Sequence, residues 1–70
     1  MNRTSVSSTN IRSVGYDRSS AILEVEFISG DIYQYFDVPE NLYGGLMGSS
    51  SKGSFLKDHI KYNYRYQKVS

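Results

Sequence analysis

Seventy residues with a formal net charge of +1 make one small domain, and a chain this short buries only about 60% of the surface it exposes when unfolded. With no cysteine and one histidine, disulfides and thiolate metal sites are excluded, and a structural zinc site lacks ligands. No run is long and apolar enough to span a membrane.

Residues 1–5 lead into polar sequence with no export signal and read as a frayed end, so the protein is expected to be cytoplasmic. A first strand is predicted over about residues 8–16, with Ile11 and Val14 on opposite faces unless a bulge intervenes. Asp17, Arg18, Ser19 and Ser20 form a polar turn. Residues 22–28 alternate: Leu23, Val25 and Phe27 point one way, Glu24 and Glu26 the other, which reads as the solvent face. Gly30 supplies the positive φ of a hairpin. Residues 32–36 return with Tyr33 and Tyr35 on one face and Ile32, Gln34 and Phe36 on the other.

Asp37, Val38, Pro39 and Glu40 open a helix, with Asp37 as cap and Glu40 completing a capping box. Leu42, Tyr43, Leu46 and Met47 keep helical spacing. Gly44 and Gly45 weaken the helix by about 1 kcal/mol each, which marks a close approach of another backbone and an end near Gly48. A second helix is predicted over about residues 52–61, capped by Ser51, with Phe55, Leu56, His59 and Ile60 inward. Tyr62, Tyr64 and Tyr66 then alternate with Asn63, Arg65 and Gln67 as a terminal strand. The expected fold is α+β: a small antiparallel sheet in βββ-αα-β order, with two short helices packed on one side. Leu23, Val25, Phe27, Phe55 and Ile60 are its expected core, and self-association is the remaining way to stabilise so thin a core.

Two features suggest ligand chemistry. The first is the loop Ser49, Ser50, Ser51, Lys52, Gly53, Ser54, where a helix start offers backbone donors and hydroxyls to an anion. It lacks the spacing of a nucleotide-hydrolysing phosphate loop. The plain alternative is a serine-capped helix. The second is the tyrosines, seven in all. Tyr33 and Tyr35 share one strand face, Tyr62, Tyr64 and Tyr66 another. If the strands neighbour each other they form a platform edged by Lys61 and Arg65, on which a base could stack; the alternative is tyrosine packing at a core edge with a wet hydroxyl. The charges are segregated too: residues 52–70 carry Lys52, Lys57, Lys61, Arg65 and Lys68 against Asp58 alone.

Catalysis is not indicated. His59 stands alone, Glu24 and Glu26 lack any acid–base asymmetry, and Ser7 and Ser8 have no Asp–His set. No enzyme, cofactor or metal is expected.

The ordered combination of Val6, Ser8, Ile11, Val14-Gly15-Tyr16-Asp17, Leu23, Val25, Phe27, Gly30, Tyr33, Tyr35, Val38-Pro39, Ser51, Gly53 and Phe55 resembles the KTSC domain. That module is named for its place at the C-terminus of some lysyl-tRNA synthetases and also occurs alone, including in phage genomes. The resemblance implies a single domain and RNA binding by association with its fusion partners. The residues favour a homo-oligomeric, non-enzymatic protein that captures a nucleotide-like or phosphorylated small ligand, as in sequestering a nucleotide signal. RNA binding is the first alternative, and a protein–protein module inhibiting a host factor the second.

Overall fold

The computed structural model describes residues 1–70. Its strands are β1 (Thr4–Ser5), β2 (Ile11–Asp17), β3 (Ile22–Phe27), β4 (Ile32–Tyr35) and β5 (Tyr66–Lys68). Between β4 and β5 lie α1 (Glu40–Gly48) and α2 (Lys52–Leu56), the latter prolonged by a π-helical turn over Lys57–Lys61. The five strands form one antiparallel sheet in chain order, so the fold is α+β as expected.

Register decides which side chains meet the helices. Leu23 pairs with Tyr35 and Val25 with Tyr33, so the tyrosines of β4 stand on the core face. In β2 the pairing shifts between Ile11 and Ser13. This bulge, with Arg12 as the extra residue, turns Ile11 and Val14 to the same side, where both are fully buried. They join Leu23, Val25, Tyr35, Val38, Leu46, Leu56 and Ile60 in the core. Phe27 and Phe55, expected at its centre, are only half-buried and pack on its margin. Tyr16 closes the other end, stacked at 5.0 Å on Tyr43 and donating its hydroxyl to the Val38 carbonyl at 2.6 Å.

Several expectations change. The expected solvent face of β3 is covered: Glu24 is 7% exposed. Residues 1–5 are not frayed, because β1 pairs with β2 and residues 1–3 lie over Gly15. A Cβ on Gly15 would stand 2.6 Å from the Asn2 carbonyl oxygen, so only glycine admits this crossing. Arg3 then reaches Glu24, while its Nε donates to Ser13 at 3.0 Å and Gln34 donates to Glu24 at 2.8 Å. Asp37 does not cap α1: it has φ 59° and pairs with Arg65 at 3.1 Å, and Pro39 takes the cap position.

The second half of the chain departs from expectation as well. The π turn alters the angular placement of the residues after Leu56, so His59 stands exposed, its ring 4.6 Å from that of Phe55. The terminal strand is shorter than expected. Tyr62 and Asn63 form a turn, and pairing begins only at Tyr66. The glycines of α1 differ from each other. A Cβ on Gly45 would meet the Phe55 ring at 2.7 Å, whereas one on Gly44 would meet nothing; the close neighbour is a side chain of α2, not a backbone.

Candidate functional site

Three shallow depressions succeed one another along α2 and its π turn. At the start of α2, residues 7–10 of the β1–β2 loop and residues 50–54 enclose about 530 Å³ with a wholly polar lining. The middle depression, about 540 Å³, is bordered by Thr9, Asn10, Phe27, Gly53, Lys57 and Lys61, with Ile28, Ser29 and Leu56. The last, about 330 Å³, lies among Phe27, Asp31, Tyr33, Tyr35, Lys61, Tyr62 and Tyr66. They share walls: Thr9, Asn10 and Gly53 border the first and second, Phe27 and Lys61 the second and third. From Lys52 to Lys61 the run measures roughly 13 Å at about 1.5 Å per helical residue.

The polar end is braced from within. Lys52 is half-buried and donates its ammonium to the Ser49 carbonyl at 2.8 Å, and the Ser51 N–H donates to the Ser49 hydroxyl at 3.0 Å. Ser51 holds the cap position without a side-chain bond, so its hydroxyl is free for other partners. As the first residues of α2, Lys52, Gly53 and Ser54 have no acceptor within the helix for their N–H groups. Gly53 is set against Asn10: a Cβ there would lie 3.1 Å from the Asn10 amide nitrogen.

Charge is distributed unevenly along this run. Of the eight basic side chains, Arg3, Arg12, Arg18, Arg65 and Lys68 lie within 3.9 Å of a carboxylate oxygen. The three without a carboxylate partner are Lys52, Lys57 and Lys61, and each borders one of the depressions. Lys61 also lies 5.5 Å from the Tyr62 ring centroid, a cation–π distance.

At the aromatic end the Tyr33 ring lies 6.5 Å from Tyr35, 5.8 Å from Tyr66 and 5.7 Å from Phe27, edge-on to the last. Tyr35 forms the floor and is 2% exposed. Burial, then the neighbouring Tyr33 and Tyr66, push its hydroxyl up to about 12. Tyr62 and Tyr66 are 74% and 60% exposed.

Of the residues expected to bind, Ser50, Ser51, Lys52, Gly53 and Ser54 line the polar end, and Tyr33, Tyr35, Lys61 and Tyr62 the aromatic end. Ser49 acts as the brace behind the loop. Tyr64 and Arg65 border a further depression with Phe36, next to the aromatic one across Tyr62 and Tyr66: Tyr64 packs on the core, and Arg65 is held by Asp37, 5.6 Å over the Phe36 ring. Tyr66, part of the expected platform, also lines the aromatic end, and Asn10, Phe27, Asp31 and Lys57 are additions. The four-residue step from Lys57 to Lys61 signals one helix face, and strand alternation points to Tyr66. Nothing local to Asn10 reveals its contact with Gly53. No three His, Asp or Glu side chains gather in a metal-binding cluster, and no helix is long and apolar enough to cross a membrane.

Known proteins share this architecture. The crystal structure of a KTSC domain protein from Yersinia pestis superposes with a TM-score of 0.95 at 38% identity, covering 99% of this chain and 97% of the other. An uncharacterised protein of Stutzerimonas stutzeri (strain A1501) is 39% identical over 99% of both chains. A lysine–tRNA ligase of Nostoc punctiforme is 32% identical over 60 residues, which are 86% of this chain and 11% of the ligase. The KTSC domain family model matches residues 7–64. The chain belongs to the KTSC domain family.

Proposed function

We propose that the chain is a non-catalytic, homo-oligomeric protein that captures a nucleotide-like ligand, phosphate towards residues 50–54 and ring system towards Tyr33, Tyr62 and Tyr66, and so withdraws a soluble nucleotide from circulation in the cytoplasm. The observation that carries this reading is the set of lysines without a carboxylate partner. Every arginine, and Lys68, has a carboxylate neighbour; the three ammonium groups without one border a single run of depressions that ends among tyrosines. Phosphate seeks cations and backbone donors, and a base seeks aromatic faces. The run is about as long as a nucleotide from phosphate to base.

Calorimetry against ribonucleoside mono- and diphosphates, linear dinucleotides and short RNA tests the reading. At least one small nucleotide is expected to bind, and the Lys57→Ala/Lys61→Ala variant should weaken it by about 2 kcal/mol, the scale of a lost charge-assisted contact. Failure of every small nucleotide to bind, or binding indifferent to both lysines, sinks the proposal.

RNA binding has one observation in its favour. The aromatic depression continues through Tyr62 and Tyr66 into the surface bearing Tyr64 and Arg65, a longer track than a mononucleotide occupies. Segments similar to this chain also occur within lysine–tRNA ligases. Salt separates the two readings, since affinity for a single strand falls with a slope of about −0.7 per phosphate engaged.

A further inference from the structure

Tyr35 is almost sealed, yet it lines the aromatic depression and its hydroxyl makes no hydrogen bond within the protein. That oxygen is not walled in, because no fully buried side-chain oxygen or nitrogen lacks a partner. It therefore opens at the floor of the depression. Tyr16 shows the contrast: on the same sheet face, its hydroxyl is spent on the Val38 carbonyl. A phenylalanine would fill the Tyr35 space without the cost of holding an unpartnered hydroxyl in apolar surroundings.

We infer that this depression seats a nucleobase and that the Tyr35 hydroxyl donates a hydrogen bond to a ring nitrogen or carbonyl oxygen of that base. The inference rests on the nucleotide reading above and assigns Tyr35 as a specificity-determining residue. Its environment keeps the hydroxyl protonated at neutral pH, so it is available as a donor. Tyr33 and Tyr66, 5.8 Å apart between ring centroids, offer the stacking surface at the rim. A phosphorylated ligand whose ring carries no acceptor would leave the hydroxyl unpaired, so the site rejects it.

The experiment titrates the four ribonucleoside 5′-monophosphates and ribose 5-phosphate into wild type, Tyr35→Phe and Tyr66→Ala, with each variant's melting recorded. Wild type is expected to bind at least one nucleotide about tenfold or more tightly than ribose 5-phosphate. Tyr35→Phe should lose about fivefold for that nucleotide and nothing for ribose 5-phosphate. Tyr66→Ala, at an exposed position, should lose about tenfold for the nucleotide alone. Equal wild-type affinity for nucleotide and ribose 5-phosphate overturns the base seat while the phosphate reading survives. Unchanged nucleotide affinity in a folded Tyr35→Phe overturns the role of Tyr35. Failure to bind either class of ligand removes the nucleotide reading and this inference together.

Discussion

Glu24 faces away from the helices but is held by Arg3 and Gln34 beneath the crossing of residues 1–3. Burial pushes its carboxyl up, yet the hydrogen bonds from Gln34 and Arg3 and the Arg3 charge outweigh that, leaving it below the usual 4.5. Asp17 is also lowered, by hydrogen bonds from the Ser20 and Ser19 hydroxyls. A carboxylate whose folded value lies below its unfolded one adds stability above the unfolded value and loses it as pH falls through the folded one. Thermal melts across the acid range should therefore hold steady above about pH 5 and decline below 4.5. Glu24→Gln should cost about 1–3 kcal/mol at pH 7 and flatten part of that decline. A Glu24→Gln variant with wild-type stability and the wild-type acid slope contradicts the assignment. The alternation of β3 makes the position of Glu24 readable from sequence. Its burial is not, because the covering residues come from a terminus twenty-one positions away that carries no amphipathic signal of its own.

Within α1 the two adjacent glycines have opposite roles. Gly44 faces open space, so Gly44→Ala should stabilise the helix by about 0.5–1 kcal/mol. At Gly45 the added methyl meets the Phe55 ring at 2.7 Å. Displacing that ring costs about 1–3 kcal/mol by overpacking, which exceeds the helical gain. Chemical denaturation of the two variants should move in opposite directions; a stabilised Gly45→Ala would show that the α1–α2 contact is loose. The strands and both helices are legible because their periodicities are strong over several residues. The end of the chain misleads for the same reason. Tyr62, Tyr64 and Tyr66 alternate as a strand would, but the π turn delivers Tyr62 into a reverse turn and leaves Tyr64 on the core. Half of the aromatic platform is thereby legible, through Tyr33 and Tyr35. Its other half depends on where pairing with β4 begins, which β4–β5 contacts decide and local pattern does not.

The whole molecule measures 27 × 24 × 22 Å and leaves Tyr62, Tyr66 and Val69 exposed around β5, the outer strand of an open sheet. Arg65 and Val69 direct backbone groups at β4, where Phe36 N–H donates to the Arg65 carbonyl and Val69 N–H to that of Ile32. By alternation, Tyr66 and Lys68 turn theirs outward to an unpaired edge. A free edge bordered by apolar side chains is a template for a second copy, and a core this small gains stability from one. Lys68, paired with Asp31 at 3.5 Å, is the opposing influence, since charge on an edge discourages pairing. The apolar surroundings are expected to prevail, giving a dimer or higher oligomer by native mass spectrometry at about ten micromolar, with a melting point that falls on dilution. Lys68→Pro removes an outward-facing donor along with the Asp31 ion pair, whereas a Lys68→Ala control removes the charge alone. Relative to that control, the proline variant should lower the oligomeric fraction while the β4–β5 ladder persists. A chain that stays monomeric with dilution-independent melting ends this expectation; an oligomer untouched by Lys68→Pro moves the interface away from β5 to another face.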